Sequence, residues 1–513
     1  MTTASAISPE LRRTMVTICA MTATIMQALD TTIANVALPY MQGSLSASLD
    51  QINWVLTSYI VAAAVMTAPI GWLADRYGRK TLFVICAAGF TVASVLCAMA
   101  QNIEQMVLFR LMQGMAGAAL VPLSQSVMLD AYPIEKRGSA MAIWGMGVML
   151  GPIMGPTLGG WLTDNYSWHW VFLVNLPIGI ITVLGLMFFM QETQKQEHLR
   201  FDWFGFAALA VGIGALQLML DRGEQVGWFD AAEIWIETII SATGFYYFFA
   251  HSLTTAAPFI RLEPLPHRSF AAACLFMVVI VIALFGTMAL VTPFMQNVLG
   301  YPILTAGMLL GSRGIGTMMT MMAAPRLMKH VESRYLILVG LLLTAGTLYE
   351  MVGFTTDTQP STIVTISIFQ GIGLGLLFVP VTSVGFATLP NHLRTSGTSM
   401  MTLVRNIGSS IGISMVIANL TSKTTLMHAR LTEGVTPFND ALQMQDIARN
   451  LDVTSDLGRA MLDRIVTEQA AVIAYANDFK LLMVLALATI PLIFLISTSR
   501  ASPPEASAAH AMD

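Results

Sequence analysis

Asp30 lies inside the apolar run from Met15 to Leu38, and Arg110 lies inside a second run over 106–129. An ionised side chain in hydrocarbon costs roughly 3 kcal/mol or more unless it is paired or faces water. Arg110 is about six residues from Glu104 at the outer end of its run, roughly 9 Å of helix, and Asp30 is roughly 12 Å below the outer end of its own. The two charges therefore sit at similar depth. An acid and a base at one depth in a helical bundle compensate each other's desolvation, and protonating the acid releases the base. The chemistry that follows is proton binding linked to helix rearrangement. A static pair that only orients helices is the alternative.

Arg313 and Arg405 lie roughly 12 and 15 Å inside their runs, and no Asp or Glu occurs between Gly300 and Glu332. With Asn35, Gln113 and Gln370 they are the expected polar lining of a substrate cavity, where the two cations favour neutral or weakly acidic lipophiles. Pairing with backbone carbonyls is an equal reading. Among the 36 methionines, the cluster Met318, Met319, Met321 and Met322 suits a pocket that repacks around varied ligands. Gly371-Ile372-Gly373-Leu374-Gly375 lacks the lysine and strand context of a phosphate loop, so energy comes from an ion gradient and no cofactor is expected. No histidine or cysteine spacing fits a metal. No nucleophile with a base, and no paired carboxylates at a membrane face, supports an enzyme.

The elements that must position these residues are membrane helices. Of 513 residues 55% are hydrophobic and 11% charged, against about 25% charged in soluble proteins. A net charge of -4 gives no field for nucleic acid. Runs long enough to cross a bilayer occur near 15–38, 52–72, 81–99, 106–129, 139–162, 170–190, 204–220, 234–250, 270–292, 303–324, 335–354, 362–382, 395–420 and 479–496. With the amino end inside, the inner segments hold sixteen Lys/Arg and the short outer loops hold Arg222 alone, so both termini are expected in the cytoplasm.

A shift of 257 residues superimposes 113–155 on 370–412 with ten identities, among them Gln113/Gln370, Gly114/Gly371, Arg137/Arg394, Gly151/Gly408 and Gly155/Gly412. The fourth span maps onto the twelfth. A displacement of eight spans means two parallel six-helix bundles, 1–200 and 261–513, with two inserted helices in 201–260. The expected fold is all-α, of major facilitator type, with fourteen transmembrane helices and a long outer loop at 421–478. That loop carries an amphipathic pattern fit to cap the protein or dock a partner.

Three motifs sharpen this. Gly71-Trp72-Leu73-Ala74-Asp75-Arg76-Tyr77-Gly78-Arg79-Lys80 offers glycines for a tight turn, an acid for a helix amino terminus and bases for the inner surface, the make-up of a conformational gate. Arg110 opens Arg110-Leu111-Met112-Gln113-Gly114. Gly147, Gly151, Gly155 and Gly159, with Pro152, Pro156 and Gly160, form a smooth ridge along which a neighbouring helix can slide. With Leu29-Asp30-Thr31-Thr32, Trp170-Val171-Phe172-Leu173-Val174-Asn175-Leu176-Pro177 and Leu218-Met219-Leu220-Asp221-Arg222-Gly223, these motifs resemble the fourteen-span drug:proton antiporters of the major facilitator superfamily.

The resemblance runs from about residue 15 to 497. It implies proton-driven export of hydrophobic, chemically diverse compounds across a bacterial inner membrane, in concert with a periplasmic adaptor and an outer-membrane channel. It also implies that the glycine-proline helix is the antiporter motif. Export of one endogenous metabolite, a siderophore or a lipophilic acid, is the alternative.

Overall fold

The computed structural model describes residues 8–133, 137–193, 195–196, 201–255, 258, 260, 262–387, 389–390, 393–436 and 455–495, with a few helix side chains in these ranges, including those of Pro152, Pro156 and Arg394, outside the description. The described residues form helices and connecting turns. In the amino-terminal bundle these are α1 (Pro9–Ser44), α2 (Leu49–Thr67), α3 (Ile70–Tyr77), α4 (Arg79–Ala98), α5 (Ile103–Gly117), α6 (Leu120–Ala131), α7 (Arg137–Asn165), α8 (His169–Leu173) and α9 (Asn175–Phe189). The inserted pair is α10 (Trp203–Arg222) and α11 (Ala232–Thr254). The second bundle holds α12 (Arg268–Pro293), α13 (Ile303–His330), α14 (Ser333–Val352), α15 (Pro360–Ala387), α16 (Arg394–Thr432) and α17 (Asp456–Ala488).

Ten of these units are long and apolar enough to cross a membrane, or eleven when α2 and α3 count as one bent span. The bend is 57° and falls at Pro69, which has no backbone N–H to continue the ladder of α2. The remaining three are α7 and α13, both glycine-rich, and α11, which begins with Glu233 and Glu237. Those two acids are the counter-ions of Arg222, at 2.6 and 3.3 Å. With these three, the described residues hold fourteen helical units at the places where the sequence reading expects spans.

Two boundaries differ from the sequence reading. α16 continues unbroken to Thr432 and α17 already begins at Asp456, so much of 421–478 is helix packed against helix rather than loop. His428 meets Asp463 at 3.0 Å across this pair. Residues 437–454 lie outside the described residues.

The glycine ridge has a defined neighbour. Added methyl groups at Gly151 and Gly155 would collide with Ala28 and Thr32 of α1, and one at Gly159 would lie 2.8 Å from Ile33 Cγ1. Thr32 donates to the Gly151 carbonyl at 3.0 Å. Gly147 faces the end of Met21, whereas Gly160 has only Val36 near it, at 4.0 Å, and is no part of the ridge. The stretch of α1 that flanks Asp30 is thus held by α7, and α7 also packs on α13 of the other bundle.

Candidate proton and substrate site

Five helices meet at Asp30. Its Oδ2 accepts from Arg110 Nη1 of α5 at 2.7 Å, and its Oδ1 accepts from Gln113 Nε2 at 2.7 Å and from Asn175 Nδ2 of α9 at 3.1 Å. Arg110 donates further to the Val55 carbonyl of α2 at 3.0 Å and to Gln113 Oε1 at 2.7 Å. Asn175 also donates to Ser94 Oγ of α4 at 2.9 Å. Asp30, Arg110, Gln113 and Ser94 are all fully enclosed. Such a pair is tolerated because both carboxylate oxygens and three guanidinium N–H groups are hydrogen-bonded, and removing one partner from a buried pair costs about 3–5 kcal/mol.

Local sequence explains the convergence. Gly114, one turn after Arg110, presses against the backbone of Tyr59, which brings α2 close enough for Val55 to accept from Arg110. The Tyr59 ring then lies 4.3 Å from the guanidinium. Asn175 stands at the break between α8 and α9, where a side chain can reach inward without disturbing a continuous helix. Its motif, Trp170 to Pro177, gives its position in the sequence but no role.

Tyr59 has a second face. It lines, with Gln27, Thr31 and Trp144 of the first bundle and Arg313 and Arg405 of the second, a cavity of about 500 Å³ between the bundles. One aromatic ring separates this chamber from the buried charge network. Much of the remaining wall is apolar, including Phe285, Phe378 and Met288, with Thr317, Asn406 and Ser409 adding polar groups, and α10 contributes Ile213, Leu216 and Gln217. No acid lines it among the described residues. Arg313 donates one long hydrogen bond to the Leu284 carbonyl, 3.5 Å, and leaves Nε and Nη2 without partners.

The polar residues expected in the cavity separate into three groups. Arg313 and Arg405 line it. Gln113 belongs to the charge network, and Gln370 is buried in the second bundle, donating to Thr287 Oγ1 at 3.3 Å with Oε1 unpaired. Asn35 is exposed on α1 and is not among the residues lining this cavity. Met318 and Met321 face the chamber, while Met319 and Met322 are exposed.

The gate motif also departs from expectation. Gly71 and Asp75 lie within α3, and only Gly78, at φ 91°, makes the turn. The acid at the start of α4 is Glu192, not Asp75: its oxygens accept from Lys80 N at 3.0 Å and Thr81 N at 3.1 Å. Burial alone would raise the Glu192 carboxyl, but bonds from the Thr81 hydroxyl and from the backbone N–H groups of Thr193, Thr81 and Lys80 outweigh it and hold the group below its usual value. Glu192 fills the space that a side chain at position 78 would need. Arg79 pairs with Asp130 at the end of α6, and Asp75 accepts through its carbonyl from Gln196 N at 2.8 Å.

The family model of the Major Facilitator Superfamily matches residues 20–413. The chain belongs to that superfamily. It is 34% identical over 473 residues to the multidrug export protein EmrB of Escherichia coli K12, covering 90% of this chain and 91% of that relative. It is 32% identical over 486 residues to the fatty acid resistance protein FarB of Neisseria gonorrhoeae, covering 94% of each. Among solved structures, a bacterial homologue of the lysosomal transporter Spinster, inward-facing and unoccupied, superimposes with a TM-score of 0.59 over 96% of this chain and 99% of that one, at 18% identity. That likeness concerns the fold. The molecule is accordingly a multi-pass membrane transporter of small molecules rather than an enzyme.

Proposed function

We propose that this transporter exports structurally diverse lipophilic compounds across the inner membrane in exchange for protons, with Asp30 as the proton carrier and Arg110 as its counter-charge. The observation that carries this is Tyr59, which touches Arg110 on one side and the cavity on the other. A substrate that displaces this ring perturbs the guanidinium, and a proton on Asp30 removes the charge that holds it. Because α1 rests on the glycine ridge of α7 and α7 packs on α13, a change at Asp30 is transmitted toward the second bundle. Alternating access then follows as rocking of the bundles around the cavity. The ridge residues Gly151, Gly155 and Gly159 serve as the sliding surface, and Arg76, Gly78, Arg79 and Lys80 serve the inner gate. Both termini are cytoplasmic in this reading, and the distribution of Lys/Arg supports it. A periplasmic adaptor and an outer-membrane channel are the partners in this reading. Proteoliposomes loaded with ethidium test the exchange: an imposed proton gradient drives dye movement in the wild type, and equal movement after the gradient is collapsed overturns the proposal.

A narrower reading concerns charge. Two arginines and no acid line the cavity among the described residues, an arrangement that favours lipophilic acids over dications, and the relative named for fatty acid resistance supports it. Arg313→Ala should cut decanoate export several-fold relative to a dicationic dye. An unchanged preference removes the idea.

A further inference from the structure

A second carboxyl is enclosed in the other bundle. Asp478 of α17 is fully buried. Its Oδ1 accepts from Asn419 Nδ2 of α16 at 2.7 Å, and its Oδ2 has no partner. Where Asp30 has a guanidinium and two amides, Asp478 has one amide. Tyr475, one turn earlier on α17, is the titratable group beside it, and α16 contributes Asn419. The cluster that joins α12, α14 and α17 here is apolar, built from Phe294, Leu348, Met351, Phe354 and Phe479. No cation balances the carboxyl among the described residues. A bound proton removes that unbalanced charge and converts Oδ2 to an O–H.

The site also has an approach. A groove of about 590 Å³ lies between α16 and the turn that joins the inserted helices, with Ser414, Asn419 and Ser422 on one wall and Glu224 and Trp228 on the other. Asn419 stands between this groove and Asp478. We propose that Asp478 is a second proton-binding site, independent of Asp30, exchanging its proton with water that enters from the groove past Asn419. The step is a proton taken up on Oδ2 and returned to water. The site adds a proton to the exchange proposed above, yet its existence is testable without any substrate.

The test is infrared difference spectroscopy of the full chain in lipid vesicles across a pH step with no substrate present. The wild type should show a protonated-carboxyl C=O component that remains in Asp30→Asn and is lost in Asp478→Asn. Asn419→Ala, which removes the donor and keeps the acid, should move the band to higher frequency, so the site is testable even if Asp478→Asn folds poorly. A spectrum that neither variant alters overturns the proposal. If the spectra behave as expected but wild-type vesicles exchange no decanoate for protons, the site stands and the transport reading fails.

Discussion

The two halves of the molecule use one scaffold for different electrostatics. In the first, Gln113 donates to Asp30, and Arg110 precedes Gln113 by three residues. In the second, Gln370, the repeat counterpart of Gln113, donates to Thr287, and the residue three before it is Ser367, whose hydroxyl has no partner. A charged pair has a neutral equivalent built from two hydroxyls and the same amide. The helix geometry common to both halves therefore requires no ion pair, so the charges at Asp30 and Arg110 answer a need beyond packing. This argues against a pair that only orients helices.

Changes at equivalent positions should break this comparison unequally. Arg110→Ala leaves Asp30 buried without a cation and should destabilise the protein by about 3–5 kcal/mol, read as thermal unfolding in detergent, whereas Ser367→Ala should change it by less than about 1 kcal/mol. Equal losses would mean that both sites are structural. Next in size, Gln113→Leu strips one donor from Asp30 and one acceptor from Arg110 and should cost about 2–3 kcal/mol. Gln370→Leu removes a 3.3 Å bond together with an unpaired oxygen and should be close to neutral.

The ridges give a smaller contrast. Gly155→Ala drives a methyl into Thr32, while Gly412→Ala brings one to 2.8 Å from Ile282 Cα. Each should cost about 1–3 kcal/mol, and Gly155→Ala should also slow exchange, because its neighbour carries Asp30. The smallest effect belongs to Glu192, outside the membrane. Its carboxyl is held low, so its capping contribution is present above the ordinary carboxylate range and lost as pH falls through the depressed value. Glu192→Gln should lower stability by about 1 kcal/mol at neutral pH, and the gap from wild type should close in acid. A gap that widens in acid would contradict the cap.

Much of this architecture was legible in the sequence, because membrane crossing is a matter of length and apolarity, and depth along a helix follows from residue count. That is why Asp30 and Arg110 were found as partners, and Arg313 and Arg405 as cavity residues. Rotation about the helix axis was not legible. Gln113 points at Asp30 rather than at the cavity, Asn35 points outward, and the methionines of 318–322 divide between two faces. Junctions were also hidden: Asn175 gains its role from the break between α8 and α9, and Glu192 reaches α4 from more than a hundred residues away. Asp478 is hidden in the sequence because the apolar run over 479–496 starts one residue after it, although the run Ala470-Ala471-Val472-Ile473-Ala474-Tyr475 precedes it.

The central claim is that Asp30 exchanges a proton for substrate. Purified protein in weakly buffered detergent solution, mixed with decanoate in the presence of a pH-sensitive dye, reports it directly. The wild type should release protons on binding, and Asp30→Asn should bind decanoate and release about one proton fewer per molecule. Identical release from both proteins, at matched occupancy, would contradict the assignment.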